Sequence, residues 1–299
     1  MISRGKESWR EEATEADGYI RPVESYPALL LENASERVLV VADLHIGWEV
    51  SLAQKGIHVP SQTPKLLDKM IQLIKATTPT SIIFLGDIKH AVEKVEFEEW
   101  KDVPEFFQKL SEIVQDIQVV PGNHDGNLDA LTTPNVKIHS SSGIRLWNRF
   151  ALLHGHAWPK IDLLGCETMV MAHLHPVVTF TDELGFRMIR PAWMRARVEG
   201  RKLAKALLKH MKIKPNGGIH LTVKKRFGID FTDQRCIVIP SFNDNLGGRS
   251  VNRRISGGRM STMIGPILRS SAVDLELAEL YLLDGTYLGS VKHLRSLTR

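Results

Sequence analysis

The sequence has little cysteine and no long hydrophobic run. Only Cys166 and Cys236 occur in 299 residues, both in apolar contexts. This excludes a disulfide framework and favours a reducing compartment. No apolar stretch approaches the roughly 20 residues that cross a bilayer, so no membrane partner is expected. The first residues also lack the apolar core of a signal peptide, and we therefore predict a cytoplasmic protein.

Acidic residues are almost absent from one segment of the chain. Residues 187–226 contain 13 lysines and arginines and a single acidic residue, Glu199, which gives a net charge of +12. The whole chain carries +5, so the remaining residues carry −7. A concentrated basic patch is typical either of a polyanion-binding site or of a solvated helix face. Composition leaves both interpretations open.

Hydrophobic patterning predicts an α/β protein. Helical spacing of apolar residues predicts helices over 64–76 and around 106–114. Short apolar runs predict buried strands, and their sequences are ALLL (28–31), VLVVA (38–42), SIIFLG (81–86), IQVVPG (117–122), KIHS and IRLW (137–147), FALLHG (150–155), TMVMAH (168–173), IVIPSF (237–242) and ELYLLDGTYLGSV (279–291). The last of these contains an Asp284-Gly285 turn that predicts a hairpin.

The predicted domain organisation is simple. Residues 1–20 alternate charges without apolar period, which indicates a polar N-terminal tail. Residues 21–299 are predicted to form a single domain with a basic helical insertion at about 199–226. Within it, GRKLAKALLKHMK (200–212) has the pattern of a basic amphipathic helix.

Five short polar blocks each begin where an apolar run ends. They are ADLH (42–45), GD (86–87), GNHD (122–125), HGH (154–156) and AHLH (172–175), and six of the twelve histidines lie between His124 and His175. A single block would more often be a turn or a cap. Five in series indicate a functional site, because the loops beyond the carboxyl ends of strands carry function in such sheets.

The residue types in these blocks favour divalent metal ions. Carboxylate, imidazole and amide oxygen suit a hard-to-borderline cation, and there are more such groups than one ion needs. Two ions about 3.5–4 Å apart can lower the pKa of a bound water and clamp both oxygens of a phosphoryl centre. The blocks therefore predict phosphoester hydrolysis at a two-metal site.

The ordered series D-x-H, GD, GNHD, HGH and H-x-H resembles the calcineurin-like metallophosphoesterases, from about Leu29 to Pro176. The resemblance implies a sandwich of two mixed β-sheets flanked by helices. It also implies that one metal is held by Asp43, His45 and His175, the other by Asn123, His154 and His173, and both by the bridging Asp87. By the same resemblance His124 is the general acid, and a carboxylate neighbour, Asp43 or Asp125, orients its ring.

Further motifs are similar to a subgroup of that family. DLHIGWE (43–49), GDIKH (86–90) and VIPSFNDNLGG (238–248) resemble the phosphoesterases that accompany DNA ligases or Lhr-type helicases in DNA repair. The resemblance implies a manganese-dependent nuclease on single-stranded or damaged DNA, with a repair helicase or ligase as a possible partner. The alternatives are a phosphodiesterase or phosphatase on a small nucleotide and a non-catalytic repair scaffold.

Several residues are predicted to contact substrate. His156 and His90 lie beside expected ligands, and Arg249 lies in a glycine-rich loop after a strand. On the predicted helix, Arg201, Lys205, Lys209 and Lys212 are spaced i, i+4, i+8 and i+11 and would share a phosphate-binding side. Leu203, Leu207, Leu208 and Met211 would face the protein.

Overall fold

The computed structural model describes residues 18–92, 95–253 and 264–297. They form two compact units. One comprises the described residues up to Ser140 with Ser241–Leu246, and the other comprises Ser141–Pro240 with the described residues from Gly247 onward. Each unit contains one mixed β-sheet, which confirms the predicted α/β class with two mixed sheets and flanking helices. Most of the predicted tail lies outside the described residues, and the first strand already begins at Tyr19.

The first unit has a six-stranded sheet in the order β1-β2-β3-β4-β5-β6. Its strands are β1 (Tyr19–Pro22), β2 (Leu29–Glu32), β3 (Arg37–Val41), β4 (Ser81–Phe84), β5 (Asp116–Val119) and β6 (Val136–Ile138), and its helices are α1 (Trp48–Ala53), α2 (Thr63–Thr77) and α3 (Phe97–Ser111). The pairs from β1 to β3 are antiparallel, whereas β3, β4, β5 and β6 pair in parallel. The carboxyl ends of β3, β4 and β5 therefore lie side by side.

The two longer helices of this unit bury one apolar face each. In α2, which has proline in its first turn, Leu66, Met70 and Ile74 are buried. In α3 the rings of Phe106 and Phe107 lie 6.3 and 5.7 Å from the ring of Phe84 on β4, in edge-to-face geometry. Such pairs contribute about 0.5–1.5 kcal/mol each beyond the area that they bury. They fix α3 against the strand that precedes the GD motif.

The second unit has a nine-stranded sheet with the path β13-β10-β11-β12-β9-β8-β7, and β14 joins it through β11 and pairs with β15. Its strands are β7 (Ile144–Leu146), β8 (Phe150–Leu153), β9 (Thr168–Met171), β10 (Pro176–Thr181), β11 (Arg187–Val198), β12 (Gln234–Val238), β13 (Arg249–Ser250), β14 (Glu279–Leu282) and β15 (Tyr287–Ser290). Its α-helices are α4 (Gly200–His210), α5 (Ile219–Phe227), α6 (Gly265–Arg269) and α7 (Val291–Leu297). Among the helices of the described residues, none is long and apolar enough to cross a membrane.

Helix α4 confirms the predicted basic helix but ends earlier than predicted. Leu203, Leu207 and Leu208 are buried as expected. Lys212 lies beyond the helix with a left-handed φ of 56°, so it does not extend the row of cations on α4. Met211 is 41% exposed rather than buried. The C-terminal turn therefore unwinds before the last two positions of the predicted pattern.

The N-terminal part of the basic segment is a strand, which the sequence analysis did not predict. The first residues of β11 pair only with β10, from Thr181↔Arg187 to Val177↔Pro191, and the remainder pairs with β12 and β14. The end of this hairpin is exposed and includes Phe186 and Ile189. The mixture of arginine and apolar residues in β11 follows from this half-exposed position.

Both cysteines lie in the core of the second unit. Burial raises the pKa of the Cys166 thiol to about 11 and that of the Cys236 thiol to about 12. We expect neither thiol to react with Ellman's reagent in the folded protein at pH 8, because the thiolate is the reactive form. Denaturation should release two reactive thiols per chain. A fast-reacting thiol in the native protein would contradict this placement.

Candidate active site

Three loops of the first unit lie together at the carboxyl ends of β3, β4 and β5. Asp43 and His45 follow β3, Asp87 follows β4, and Asn123 to Asp125 follow β5. The first two loops run side by side, since the amide of Asp43 donates to the carbonyl oxygen of Gly86 at 3.0 Å and the amide of His45 donates to that of Asp87 at 2.9 Å. The parallel pairing of these strands thus brings motifs that are about 35–45 residues apart in the sequence to one edge.

The corresponding loops of the second unit follow β8 and β9, which also pair in parallel. His154 follows β8 and is fully buried, while His173 and His175 follow β9 and are partly exposed. The Nε2 atom of His154 lies 3.2 Å from the Nδ1 atom of His173, and the ring of His156 lies 5.2 Å from that of His154. This unit therefore gathers imidazoles at one edge of its own sheet.

Five of the seven predicted metal ligands have a left-handed backbone. The φ angles are 59° at Asp43, 45° at His45, 51° at Asp87, 67° at His173 and 45° at His175. Residues other than glycine adopt this conformation in only a few per cent of cases, and it costs of order 1–3 kcal/mol each. Aspartate and histidine tolerate it better than most residues. Such strain is concentrated at functional sites. Seven other non-glycine residues in the described part of the chain also have a left-handed backbone, so the conformation supports a functional site here together with the motifs.

The side chains of the first unit form a cluster of imidazole and carboxylate groups. Asp43, His45 and Asp87 are almost fully buried, and the Nε2 atom of His45 lies 3.4 Å from Oδ2 of Asp87. One ring nitrogen from each of His45, His90 and His124 lies within 4.8 Å of the others. Imidazole nitrogen and carboxylate oxygen are suitable ligands for divalent transition metals. The donor set therefore fits a metal ion.

His90, which was predicted only from its position beside an expected ligand, lies within this cluster. Its Nδ1 atom lies 3.2 Å from Nδ1 of His45. Burial lowers the pKa of His90 below its ordinary value and the neighbouring His124 lowers it further, against the opposing effect of Asp87. The lowered pKa favours the neutral imidazole, whose lone pair can accept a hydrogen bond or bind a cation.

Asp87 is held by the GNHD loop. Its Oδ1 atom accepts a hydrogen bond of 2.9 Å from the amide of His124. A Cβ atom at Gly122 would lie 2.1 Å from the same oxygen. Glycine is required there because the backbone passes directly against the carboxylate.

The Asp125 carboxylate accepts hydrogen bonds from backbone amides. Its Oδ1 atom accepts from the amide of Ile88 at 2.8 Å and its Oδ2 atom accepts from that of Gly122 at 2.7 Å. The Nδ1 atom of His124 faces the carbonyl oxygen of His90. Asp125 thus links the GD and GNHD loops, and the carboxylate that orients the His124 ring stays a prediction.

Glu99 was missed by the sequence analysis. This buried side chain of α3 accepts hydrogen bonds through Oε1 from the amides of His90, at 2.9 Å, and Ala91, at 2.7 Å. It also closes a capping box with Glu96 at the start of the helix. The Glu-x-x-Glu spacing before an apolar helix was the available signal for the cap. No sequence pattern shows that the same carboxylate holds the loop after Asp87.

We expect Glu99→Gln to loosen the 88–91 loop. Hydrogen bonds to a charged group contribute about 1.5–3 kcal/mol, and a glutamine side chain keeps only one acceptor oxygen. The melting temperature and kcat should both fall, with KM nearly unchanged, because Glu99 positions the loop without contacting substrate. Glu98→Gln is the control, since Glu98 is exposed in the same turn. Equal behaviour of the two variants would contradict this role.

The predicted Arg249 and a further residue, Asn243, both contact loops that carry expected ligands. Arg249 lies on β13 beside the start of β10, and its amide donates to the carbonyl oxygen of His175 at 2.8 Å. Asn243 is buried in the first unit, and its side-chain amide donates to the carbonyl oxygen of Leu44 at 2.8 Å. Asn243 therefore fixes the loop that carries Asp43 and His45.

The sequence matches the profile of the family described as calcineurin-like phosphoesterase over residues 36–221. The match spans the five polar blocks between residues 42 and 175. The chain belongs to the calcineurin-like phosphoesterase family. It is accordingly a metal-dependent hydrolase of phosphoesters, as predicted.

The metallophosphoesterase can also be compared with solved structures. It is similar to the Pseudomonas putida nuclease MPE, with 19% identity, a TM-score of 0.47, and coverage of 90% of this chain and 100% of that chain. It is similar to Yfce, a phosphoesterase from E. coli, with 19% identity, a TM-score of 0.31, and coverage of 48% and 73%. The sequence matches no curated protein.

Proposed function

We propose that this metallophosphoesterase is a two-metal phosphodiesterase that cleaves single-stranded or damaged DNA, with manganese as its metal. The observation that carries the proposal is the left-handed backbone at five of the expected ligands. Aspartate and histidine, which can both bind a metal ion, stand at these positions where glycine would be free of strain, and backbone strain is concentrated at functional sites.

The ligand assignment follows the family resemblance. Asp43, His45 and His175 would hold one ion, Asn123, His154 and His173 would hold the other, and Asp87 would contribute to both. When bound, the ions supply positive charge that activates a water and stabilises charge on the phosphoryl oxygens. Asp125, Glu99 and Asn243 keep the ligand loops of the first unit in place through backbone hydrogen bonds.

His124 is the proposed general acid. The carbonyl oxygen of His90 can only accept a hydrogen bond, so Nδ1 of His124 carries a hydrogen. Nε2 is then the atom that exchanges a proton with the leaving-group oxygen. His90 and His156 would contact the phosphate or hold neighbouring ligands.

The choice of DNA rests on charge and on the resemblance to the repair subgroup. Arg201, Lys205 and Lys209 are exposed on α4, in a segment with a net charge of +12. So much positive charge exceeds what a small nucleotide requires, whereas a strand presents one phosphate per nucleotide. A repair helicase or ligase as partner belongs to the same proposal and rests on the resemblance alone.

The test is hydrolysis with defined metals. We expect the purified protein, with manganese added, to cleave a labelled single-stranded oligonucleotide and a bis-aryl phosphate reporter. Duplex DNA, RNA and cyclic nucleotides serve as comparison substrates, and a chelator should stop the reaction. Cleavage of the reporter and cyclic nucleotides without cleavage of DNA would favour a small-nucleotide esterase. The absence of all hydrolysis with any divalent metal would favour a scaffold.

A further inference from the structure

The basic helix borders a cleft within the second unit. The cleft has a volume of about 670 Å³ and is lined by Trp158, Lys202, Lys205, Ala206, Lys209, His210, Ser270 and Ser271. Pockets for small organic ligands typically measure about 300–1,000 Å³. A cleft of this size accommodates a molecule as large as a nucleotide.

Two of the three lysines in the cleft are available to an anion. Lys202, Lys205 and Lys209 are spaced i, i+3 and i+7, so they share one face of α4. Lys202 is paired with Glu199 at 2.5 Å. Within residues 18–92, 95–253 and 264–297, no carboxylate pairs with Lys205 or Lys209. The cleft therefore contains uncompensated positive charge on a helix that is anchored by buried leucines.

An aromatic pair forms another part of the cleft wall. The rings of Trp158 and His210 are stacked, with centroids 5.2 Å apart and an angle of 24° between the planes. Trp158 is half-buried and packs against the hydrophobic core of the unit, so its orientation is fixed. A fixed tryptophan beside lysines suits an anion that also carries a flat ring. Inorganic phosphate would use only the lysines.

We propose that this cleft binds a nucleoside phosphate, with the phosphate between Lys205 and Lys209 and the base on the Trp158–His210 pair. The inference rests on the proposed function in that it assigns contacts to a nucleic-acid substrate. Trp158 follows His154 by four residues along the chain, so the same loop carries an expected metal ligand and the base-stacking surface. The ligand is either one nucleotide of a single strand or a free mononucleotide.

Binding measured without metal tests the cleft separately from hydrolysis. Anisotropy of a labelled oligothymidylate is recorded with a chelator present, over a range of salt concentrations. We expect Lys205→Gln with Lys209→Gln to flatten the salt slope by about 0.7, since the two lysines share one phosphate and each phosphate neutralised on a single strand contributes about 0.7. Trp158→Leu should weaken binding about fivefold or more, and Trp158→Phe should restore most of it, because stacking of a base contributes about 1–3 kcal/mol.

The matched control removes the same charge from outside the cleft. Lys214 and Lys225 are exposed residues of the same basic segment and do not line the cleft. Lys214→Gln with Lys225→Gln should leave the oligothymidylate affinity close to that of the wild type. Thermal melts of all variants establish that they are folded.

Titration calorimetry with thymidine 5′-monophosphate and with inorganic phosphate distinguishes a site for a free mononucleotide from a site for one nucleotide of a single strand. Binding of the mononucleotide that depends on Trp158 would identify a free-nucleotide site, and binding of the oligonucleotide alone would identify a strand subsite. The proposal is overturned if the cleft variants bind both probes like the wild type, or if the wild type binds neither. DNA hydrolysis by the wild type would in that case still support the proposed function.

Discussion

The variant Asp87→Asn should have no measurable hydrolytic activity and should lose metal. Asparagine keeps the shape of the side chain, and one oxygen can still accept the amide of His124. It lacks the negative charge, and it places an amide group where a carboxylate oxygen now lies 3.4 Å from Nε2 of His45. If one carboxylate serves two ions, both are weakened by its loss. Elemental analysis of the purified variant and hydrolysis of an aryl phosphodiester measure the two effects.

Asp244→Asn is the control for this variant. Asp244 is an exposed carboxylate of the same unit and pairs with Lys69 at 2.9 Å. Its replacement should leave metal content and rate unchanged. Retention of two ions per chain and a near-normal rate in Asp87→Asn would show that Asp87 is not the bridging ligand.

The variant His124→Ala should lose activity mainly on substrates with poor leaving groups. An aryl phosphate leaves as a stabilised phenolate and needs little protonation, whereas a sugar alkoxide needs a proton as the bond breaks. General acid catalysis supplies about 10²–10⁴-fold, so this is the loss expected on an oligonucleotide. The loss on an aryl phosphodiester should be much smaller. Metal content should be unchanged, because His124 is not an expected ligand.

His58→Ala is the control, because His58 is an exposed histidine of the same unit. It should behave like the wild type on both substrates. An equal loss on aryl and alkyl esters in His124→Ala would indicate that the His124 ring supports the neighbouring loop through its contact with the His90 carbonyl and does not donate a proton.

The sequence predicted the parts of the protein that depend on short-range patterns. The apolar runs before the five polar blocks all became strands, and the blocks lie in the loops that follow them, because a strand buried on both faces must consist of apolar residues. Of the predicted strand 237–242, only the first two residues lie in a strand. The helix of the basic segment was also found, since the leucines of α4 recur at helical spacing. The metal-ligand assignment and the His124 role stay predictions.

The features of the fold and of the site that the sequence did not predict depend on contacts between distant parts of the chain. β11 mixes arginine with apolar residues because its first part pairs with β10 alone and its later part pairs with β12 and β14. No window of sequence contains that information. The same holds for Glu99, which stabilises the loop after Asp87 from a helix that begins ten residues later. Lys212 was misplaced because the leucine pattern gives no precise position for the end of a helix.

The strained residues of the ligand loops are needed for the proposed activity, but they lower the thermal stability of the protein. Five left-handed residues, at about 1–3 kcal/mol each, represent a cost comparable with the 5–15 kcal/mol by which a typical domain is stable. Glycine at any of these positions would relieve strain and remove a ligand at the same time. Random mutation selected only for heat resistance would therefore tend to erase the site. A thermostable relative that retains aspartate and histidine at all five positions must obtain its additional stability elsewhere in the fold.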